Sequence, residues 1–195
     1  MSLKILVRFW HFPVLTLGPG KRLGIWLQGC SIHCEGCIAP ENQPFDEAFS
    51  MTVDDLMNEI ADVLPEADGI TISGGEPLDQ KEALSYILAE FNSLGKHDIL
   101  IYSGYSKQRI LDRFPELPNV AAALISEPFV KGAVTSAVWK GSENQILTIF
   151  RKQYSEQYEQ WCGNTKRNIQ IVRKNTGYYL LGIPKQDDFT STLGA

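Results

Sequence analysis

The sequence predicts an α/β fold, an incomplete (β/α) barrel with a C-terminal β-hairpin extension. Three observations carry this. Apolar runs of strand length alternate with helical periodicity along most of the chain, the pattern of parallel strands joined by crossover helices. The 195 residues fall short of a full eight-unit barrel, which takes ~250, and only about five β/α units fit before residue 150. The pattern then changes: "NIQIVRKNTGYYLLGI" (168–183) holds two β-rich runs around an Asn-Thr-Gly turn, which reads as a hairpin.

Taken in order, "KILVRFW" (4–10) is the first strand and "HFPVLTLGPGKR" a loop rich in Gly and Pro. "LGIWLQ" (23–28) is a short buried strand running directly into "GCSIHCEGC" (29–37). Ser50 or Thr52 caps a helix through Val63, whose apolar residues Val53, Leu56, Met57, Ile60 and Val63 keep the helical period. "GITIS" (69–73) is a strand, and "KEALSYILAEFNSLG" (81–95) a helix stopped by Gly95. "DILIYS" (98–103) is a strand, "KQRILDRF" (107–114) a helix and "VAAALIS" (120–126) a strand. "QDDFTSTLGA" (186–195) reads as a frayed tail. One domain is expected over 1–195, with a core over about 1–150 and the extension over about 151–195.

With 44% apolar and 21% charged residues the composition is that of a globular chain. A net charge of −5 argues against general nucleic-acid binding. No apolar run reaches the ~20 residues of a bilayer span. The N-terminal stretch resembles a signal peptide, but Arg8 and His11 interrupt it and no small-residue cleavage site follows. It is read as the first strand of a cytoplasmic protein with no membrane partner. In the reducing cytosol a tight cysteine cluster more often binds metal or does redox work than forms disulfides.

The unusual segments each follow a predicted strand: the cysteine loop after 23–28, "SGGEPLD" (73–79) after 69–73, "SGYS" (103–106) after 98–103 and "SEPFVKG" (126–132) after 120–126. In a parallel barrel or sheet the carboxyl ends of the strands share one rim, where ligands bind. These four loops are therefore expected to face one another.

Cys30, Cys34 and Cys37 fall within eight residues, and Cys162 lies far away. A zinc site is closed by four ligands, and His33 is available as the fourth; against this, a lone His is more often structural or solvated. A four-iron cluster normally takes four cysteines. Three leave one iron without a protein ligand and open to a small molecule. Each further motif has a plainer reading by itself. Gly-Gly-Glu-Pro is often only a turn, Gly18-Pro19-Gly20 a loop, Trp139 and the aromatics of "YYLLG" core, and Cys162 a buried or idle thiol.

Cys30-x3-Cys34-x2-Cys37 resembles the signature of the radical S-adenosylmethionine (SAM) enzymes. "GPGKRLGIWLQGCSIHCEGC" is similar to the N-terminal segment of the glycyl-radical-enzyme activases, and "ISGGEPLDQ" to their Gly-Gly-Glu-Pro motif. "YSGY" and "WKGSENQ" (139–145) look like segments of the anaerobic ribonucleotide reductase activating proteins. The similarity covers roughly residues 15–150. It implies a radical SAM type of incomplete barrel and a [4Fe–4S] cluster on Cys30, Cys34 and Cys37, with SAM chelated at the open iron. It implies SAM contacts at Ser73, Gly74, Gly75 and Glu76, with Glu76 near the methionyl amine, and at Ser103 and Gly104. The implied chemistry is reductive cleavage of SAM to methionine and a 5′-deoxyadenosyl radical that abstracts hydrogen, most simply to activate a glycyl radical enzyme. The partners implied are a protein or peptide substrate and a one-electron donor such as flavodoxin or ferredoxin. Two alternatives remain: modification of a peptide or small metabolite, with the hairpin shaping its pocket, and a non-enzymatic iron–sulfur or zinc protein.

The chain departs from the pattern at three places. Gly36 stands where many radical SAM enzymes carry an aromatic, as in the reductase activases. Ser126-Glu127 replaces the Asp-Gly that small activases usually show before Pro-Phe. The chain also runs on for about 40 residues past "WKGSENQ".

Overall fold

The computed structural model describes residues 3–174 and 177–184. Two antiparallel strands, β1 (Lys4–Val14) and β2 (Arg22–Leu27), open the fold. The short strand β3 (Ser50–Thr52) pairs antiparallel with the outer edge of β1. Helix α1 (Val53–Ile60) begins where the Thr52 hydroxyl accepts from Asp55 N at 3.0 Å. Asp54 and Asp55 sit at its positive end. Its spacing puts Val53, Leu56 and Ile60 on one buried face.

Strand β4 (Gly69–Gly74) leads into helix α2 (Lys81–Ser93), which buries Ala83, Leu84, Ile87, Leu88 and Phe91. After Leu94, Gly95 turns left-handed at φ 76° and Lys96 N bonds back to Phe91 O at 2.8 Å, closing the helix end as its glycine predicts. Strand β5 (Ile99–Tyr102), helix α3 (Lys107–Arg113), the single turn α4 (Leu117–Val120) and strand β6 (Ala123–Ser126) follow. Strand β7 (Ile146–Ile149) returns antiparallel to β6, and helix α5 (Ser155–Cys162) comes next. Strands β8 (Gln170–Lys174) and β9 (Gly177–Leu181) form a separate hairpin.

The main sheet runs β3-β1-β2-β4-β5-β6-β7. β2, β4, β5 and β6 are parallel neighbours, and β3 points the same way, so the sheet is mostly parallel with β1 and β7 reversed. Among the described residues its ends, β3 and β7, are not paired to each other. Side chains of the central strands alternate between two buried faces. Ile99, Ile101 and Leu124 pack with α1 and α2 in the main core, whereas Leu100, Ala123 and Ile125 pack against Tyr158 of α5.

At the amino ends of the parallel strands lies a buried charge. Arg22 is fully buried; it pairs with Asp98 at 2.9 Å and donates to Thr71 Oγ1 (2.6 Å) and Ile70 O (2.7 Å). The Tyr158 hydroxyl donates to Asp98 Oδ1 at 2.7 Å, so α5 closes this end of the sheet.

Several expectations are corrected. β1 runs on to Val14 through the segment read as loop, with a cis Phe12–Pro13 peptide; pairing with β2 satisfies its backbone, and the register shifts between His11 and Val14, where Pro13 has no N–H to give. Of Ser50 and Thr52, read as alternative caps, Thr52 caps α1 and both form β3, and α1 ends at Ile60 rather than Val63. The run 120–126 begins as the end of α4, and the strand starts at Ala123. β7 and α5 carry no element in the sequence reading. Only Tyr158 of α5 is buried, so the apolar period that marks a helix is missing. The hairpin stands as expected. Its turn residues Asn175 and Thr176, and the expected frayed tail over 186–195, lie outside the described residues.

Candidate functional site

Because β2, β4, β5 and β6 are parallel neighbours, the loops after them converge at one rim, as their sequence order predicts. Every residue singled out as a cluster ligand or SAM contact lines one cavity of ≈ 200 Å³: Cys30, Cys34, Cys37, Ser73, Gly74, Gly75, Glu76, Ser103 and Gly104. The cysteine loop is anchored at its base, where Gly29 N bonds Asn42 O (2.8 Å) and Cys30 N bonds Gln43 O (2.9 Å). The Gln28 amide bonds Glu41 O and Pro44 O, and Gln80 Nε2 donates to Gln28 O at 3.0 Å.

All three loop thiols are free and half-buried. Burial pushes the Cys30 and Cys34 thiols up, opposed by backbone amides of His33 and Ile32 at Cys30 and of Phe129 at Cys34. Bound iron favours the thiolate and offsets that burial. Among the described residues no three His, Cys, Asp or Glu side chains gather as they would round a single ion. A cuboidal cluster asks for something different: three thiolates, each on its own iron. Three thiols that line one cavity are the donor set such a cluster takes, with one iron left to a small molecule. His33 is exposed, turned to φ 53°, with Nδ1 3.4 Å from Gln43 Oε1. Cys162 ends α5; burial pushes its thiol up to about 11, as an idle thiol would show.

Glu76 is 1% exposed, and its carboxylate joins two rim loops. Oε1 accepts from Ser103 Oγ (2.8 Å) and Leu78 N (3.0 Å), and Oε2 from Gly104 N (2.8 Å). Burial raises its carboxyl to about 7 against the pull of these donors. The protonated form also fits: the carboxyl O–H then points to Ser103 Oγ, and both backbone donors keep an acceptor.

The glycines are required by the protein's own backbone. Gly74 has φ 106°, and a Cβ there would lie 2.4 Å from Leu27 N and O. A Cβ on Gly75 would lie 2.0 Å from Gly29 O, inside the cysteine loop. The expected ligand contact at Gly75 is thus joined by a packing contact that sequence could not reveal.

"SEPFVKG" and "WKGSENQ" fold against each other at the same rim. Val130 N donates to Ser142 Oγ at 3.1 Å, and Gln145 bonds Gly141 N and Glu127 O. Glu127 takes φ 84°, a left-handed conformation that explains why glycine is usual there. Its carboxylate accepts from Lys107 N at the start of α3 (3.0 Å), and Ser126 is fully buried.

Sequence reading missed part of the wall. Leu17, Trp26, Tyr102, Gly182 and Ile183 also line the cavity. Trp26 and Tyr102 belong to the apolar cluster of Val14, Leu17 and Leu181 that seats the hairpin. Phe9 stacks on Trp26 at 4.4 Å and meets Tyr179 at 4.5 Å. A second cavity of ≈ 470 Å³ lies between β1 and β9 and shares Trp26, Ile38, Ala39, Asn42 and Gly182 with the first.

A family model described as a 4Fe-4S single cluster domain matches residues 16–148, well over half of the chain. The chain belongs to this family. It is similar to several activating enzymes. It is 29% identical over 155 residues to the anaerobic ribonucleoside-triphosphate reductase-activating protein of Escherichia coli (strain K12), covering 72% of this chain and 97% of that protein. The Haemophilus influenzae protein of the same name is 27% identical over 143 residues, covering 69% and 91%. The pyruvate formate-lyase-activating enzyme of Staphylococcus aureus (strain USA300) is 39% identical over 88 residues, covering 43% of this chain and 35% of the enzyme. Within the 4Fe-4S single cluster family the chain is an enzyme of the radical SAM activase type, with a four-iron cluster and SAM as cofactors. Among the described residues no helix is long and apolar enough to cross a membrane.

Proposed function

We propose that this protein installs a glycyl radical on a partner enzyme, with Cys30, Cys34 and Cys37 as the cluster ligands and the loops 73–76 and 103–104 as the SAM cradle. The observation that carries the reading is the convergence of these three separate segments on one cavity. When bound, the cluster would supply the single electron that reductive cleavage of SAM takes. The chain's own work is to hold and shield. Cys30, Cys34 and Cys37 supply the thiolates. Gly74 lets the end of β4 pass close to β2, and Gly75 lets the loop after it pass close to the cysteine loop. Glu76, clasped by Ser103 and Gly104, keeps the β4 and β5 loops in register. Leu17, Trp26 and Ile183 line the cavity with apolar surface that excludes water.

The activating proteins it resembles bear the names of other enzymes, which supports a protein substrate. The second cavity, open alongside β9 and sharing walls with the first, gives a segment of such a partner a route to the site. The open ends of the sheet support the incomplete-barrel reading, and the hairpin's packing on β1 and β2 supports one domain with a C-terminal extension. A one-electron donor of the flavodoxin or ferredoxin class completes the proposal.

Anaerobic reconstitution tests it. The wild type should take up about four iron per chain and cleave SAM to methionine and 5′-deoxyadenosine under a strong reductant. Cys30→Ala, Cys34→Ala and Cys37→Ala should each lose both properties, and Cys162→Ala neither. Stoichiometric zinc without iron would refute it.

A further inference from the structure

One carboxylate ties three rim loops together beside the cysteines. Asp79 sits in the turn after Gly-Gly-Glu-Pro, half-buried. Its Oδ2 accepts the backbone N–H of Ser31 at 2.7 Å, and its Oδ1 accepts Ser31 Oγ (3.1 Å) and Tyr105 O–H (2.6 Å). Ser31 Oγ and Tyr105 Oη are themselves 2.8 Å apart. Tyr105 is 5% exposed, and the Arg109 guanidinium lies 3.9 Å from its ring centroid. Ser31 directly follows Cys30. The tie thus reaches from the β4 loop to the residue next to a cysteine, and to the β5 loop.

We infer that Asp79 is a positioning residue that fixes the cysteine loop and holds the reduction potential of the cluster low. The inference rests on the reading of Cys30, Cys34 and Cys37 as cluster ligands. Two effects act in the same direction. A carboxylate near an iron–sulfur cluster disfavours adding an electron to it, because reduction makes the cluster more negative. Backbone N–H groups that donate to cluster sulfur raise the potential. Asp79 takes up the Ser31 N–H and withholds it from that use. A low potential is what delivering an electron to a sulfonium requires. Tyr105 serves the tie differently: its hydroxyl orients the carboxylate and its ring is held by Arg109.

The experiment is an electron paramagnetic resonance redox titration of the reconstituted full-length protein, with iron content measured in parallel. Asp79→Asn removes the charge at constant size. Asp79→Ala also releases the Ser31 N–H. Tyr105→Phe keeps both. At a fixed poise the ratio of reduced to oxidised cluster should rise on the order of tenfold in Asp79→Asn, ~59 mV for one electron. It should rise further in Asp79→Ala and stay at or below the wild-type ratio in Tyr105→Phe. A wild-type potential in both Asp79 variants, with full iron, overturns the inference. So does equal loss of iron in all three variants, which shows a purely structural tie. A wild type that takes up no iron overturns instead the reading of the cysteines.

Discussion

Glu76 shows how one side chain can serve both the fold and the site. Its carboxyl stands at about 7 in the folded protein against an ordinary 4.5, burial being the main cause. Between those pH values the folded state holds a proton that the unfolded chain has released. The stability Glu76 contributes is therefore complete below about pH 4.5 and is lost as pH rises through about 7. Urea unfolding of the apoprotein should show it: the advantage of wild type over Glu76→Gln should shrink by about 3 kcal/mol between pH 4.5 and 8. A difference constant with pH would contradict the buried titration. Gly75 makes a second case at this scale. Gly75→Val drives a side chain into Gly29 O, so it should disturb the cysteine loop itself. Lower melting temperature and poor iron uptake are expected; full iron with only weakened SAM affinity would mean the side chain is accommodated on the ligand side. At Glu127, the left-handed backbone makes Glu127→Gly a stabilising change by roughly 1 kcal/mol, provided the bond to Lys107 N contributes less than the strain.

Among the elements, α5 and the hairpin divide the work of the last segment. α5 seals the amino end of the sheet through Tyr158, Asp98 and Arg22, at the opposite end of the parallel strands from the rim loops. Asp98→Ala leaves a buried guanidinium unpaired and should destabilise by about 3–5 kcal/mol. Arg22→Met combined with Asp98→Ala should recover much of that loss, since no charge then remains buried. Chemical denaturation of Asp98→Ala, Arg22→Met and the double variant decides it; an additive double variant would show that the pair carries no such coupling. The hairpin instead docks on Phe9 and Trp26 through Tyr179 and Leu181, at the cavity wall. The surface pair Lys131–Glu35 spans two rim loops, but both groups are exposed, so its loss should leave the melting temperature unchanged.

Over the whole molecule, the two ends of the parallel strands have different roles. The Arg22–Asp98 pair lies at the amino ends and the three loop thiols at the carboxyl ends. This separates two truncations. Ending the chain at Phe150 removes α5 and exposes the Arg22–Asp98 pair, so it should unfold the protein. Ending it at Gly163 keeps that network and removes residues 164–195, the hairpin with its flanking segments. The shorter deletion should leave a folded protein that still takes up iron and cleaves SAM without coupling, while activation of a partner enzyme falls. Circular dichroism, iron content and 5′-deoxyadenosine release read the three properties separately. Full activation of the partner by the shorter deletion would remove the hairpin from substrate recognition.

Sequence alone determined the alternation of elements, because burial on both faces of parallel strands and on one face of each helix leaves a local apolar period. It also determined that the unusual loops meet, because each such segment directly follows a strand and parallel order brings their ends to one rim. Elements held mainly by distant partners left no such mark. β3 is three residues paired to β1; β7 is four residues paired to β6; α5 buries one tyrosine. Only the tertiary structure decided that β1 continues to Val14, that among the described residues β3 and β7 end the sheet, and that the hairpin walls the cavity. The same holds for Gly75 and Asp79. What makes each matter is a neighbour some 46 or 48 positions away, Gly29 O or the Ser31 amide, and such proximity arises only when the strands pair.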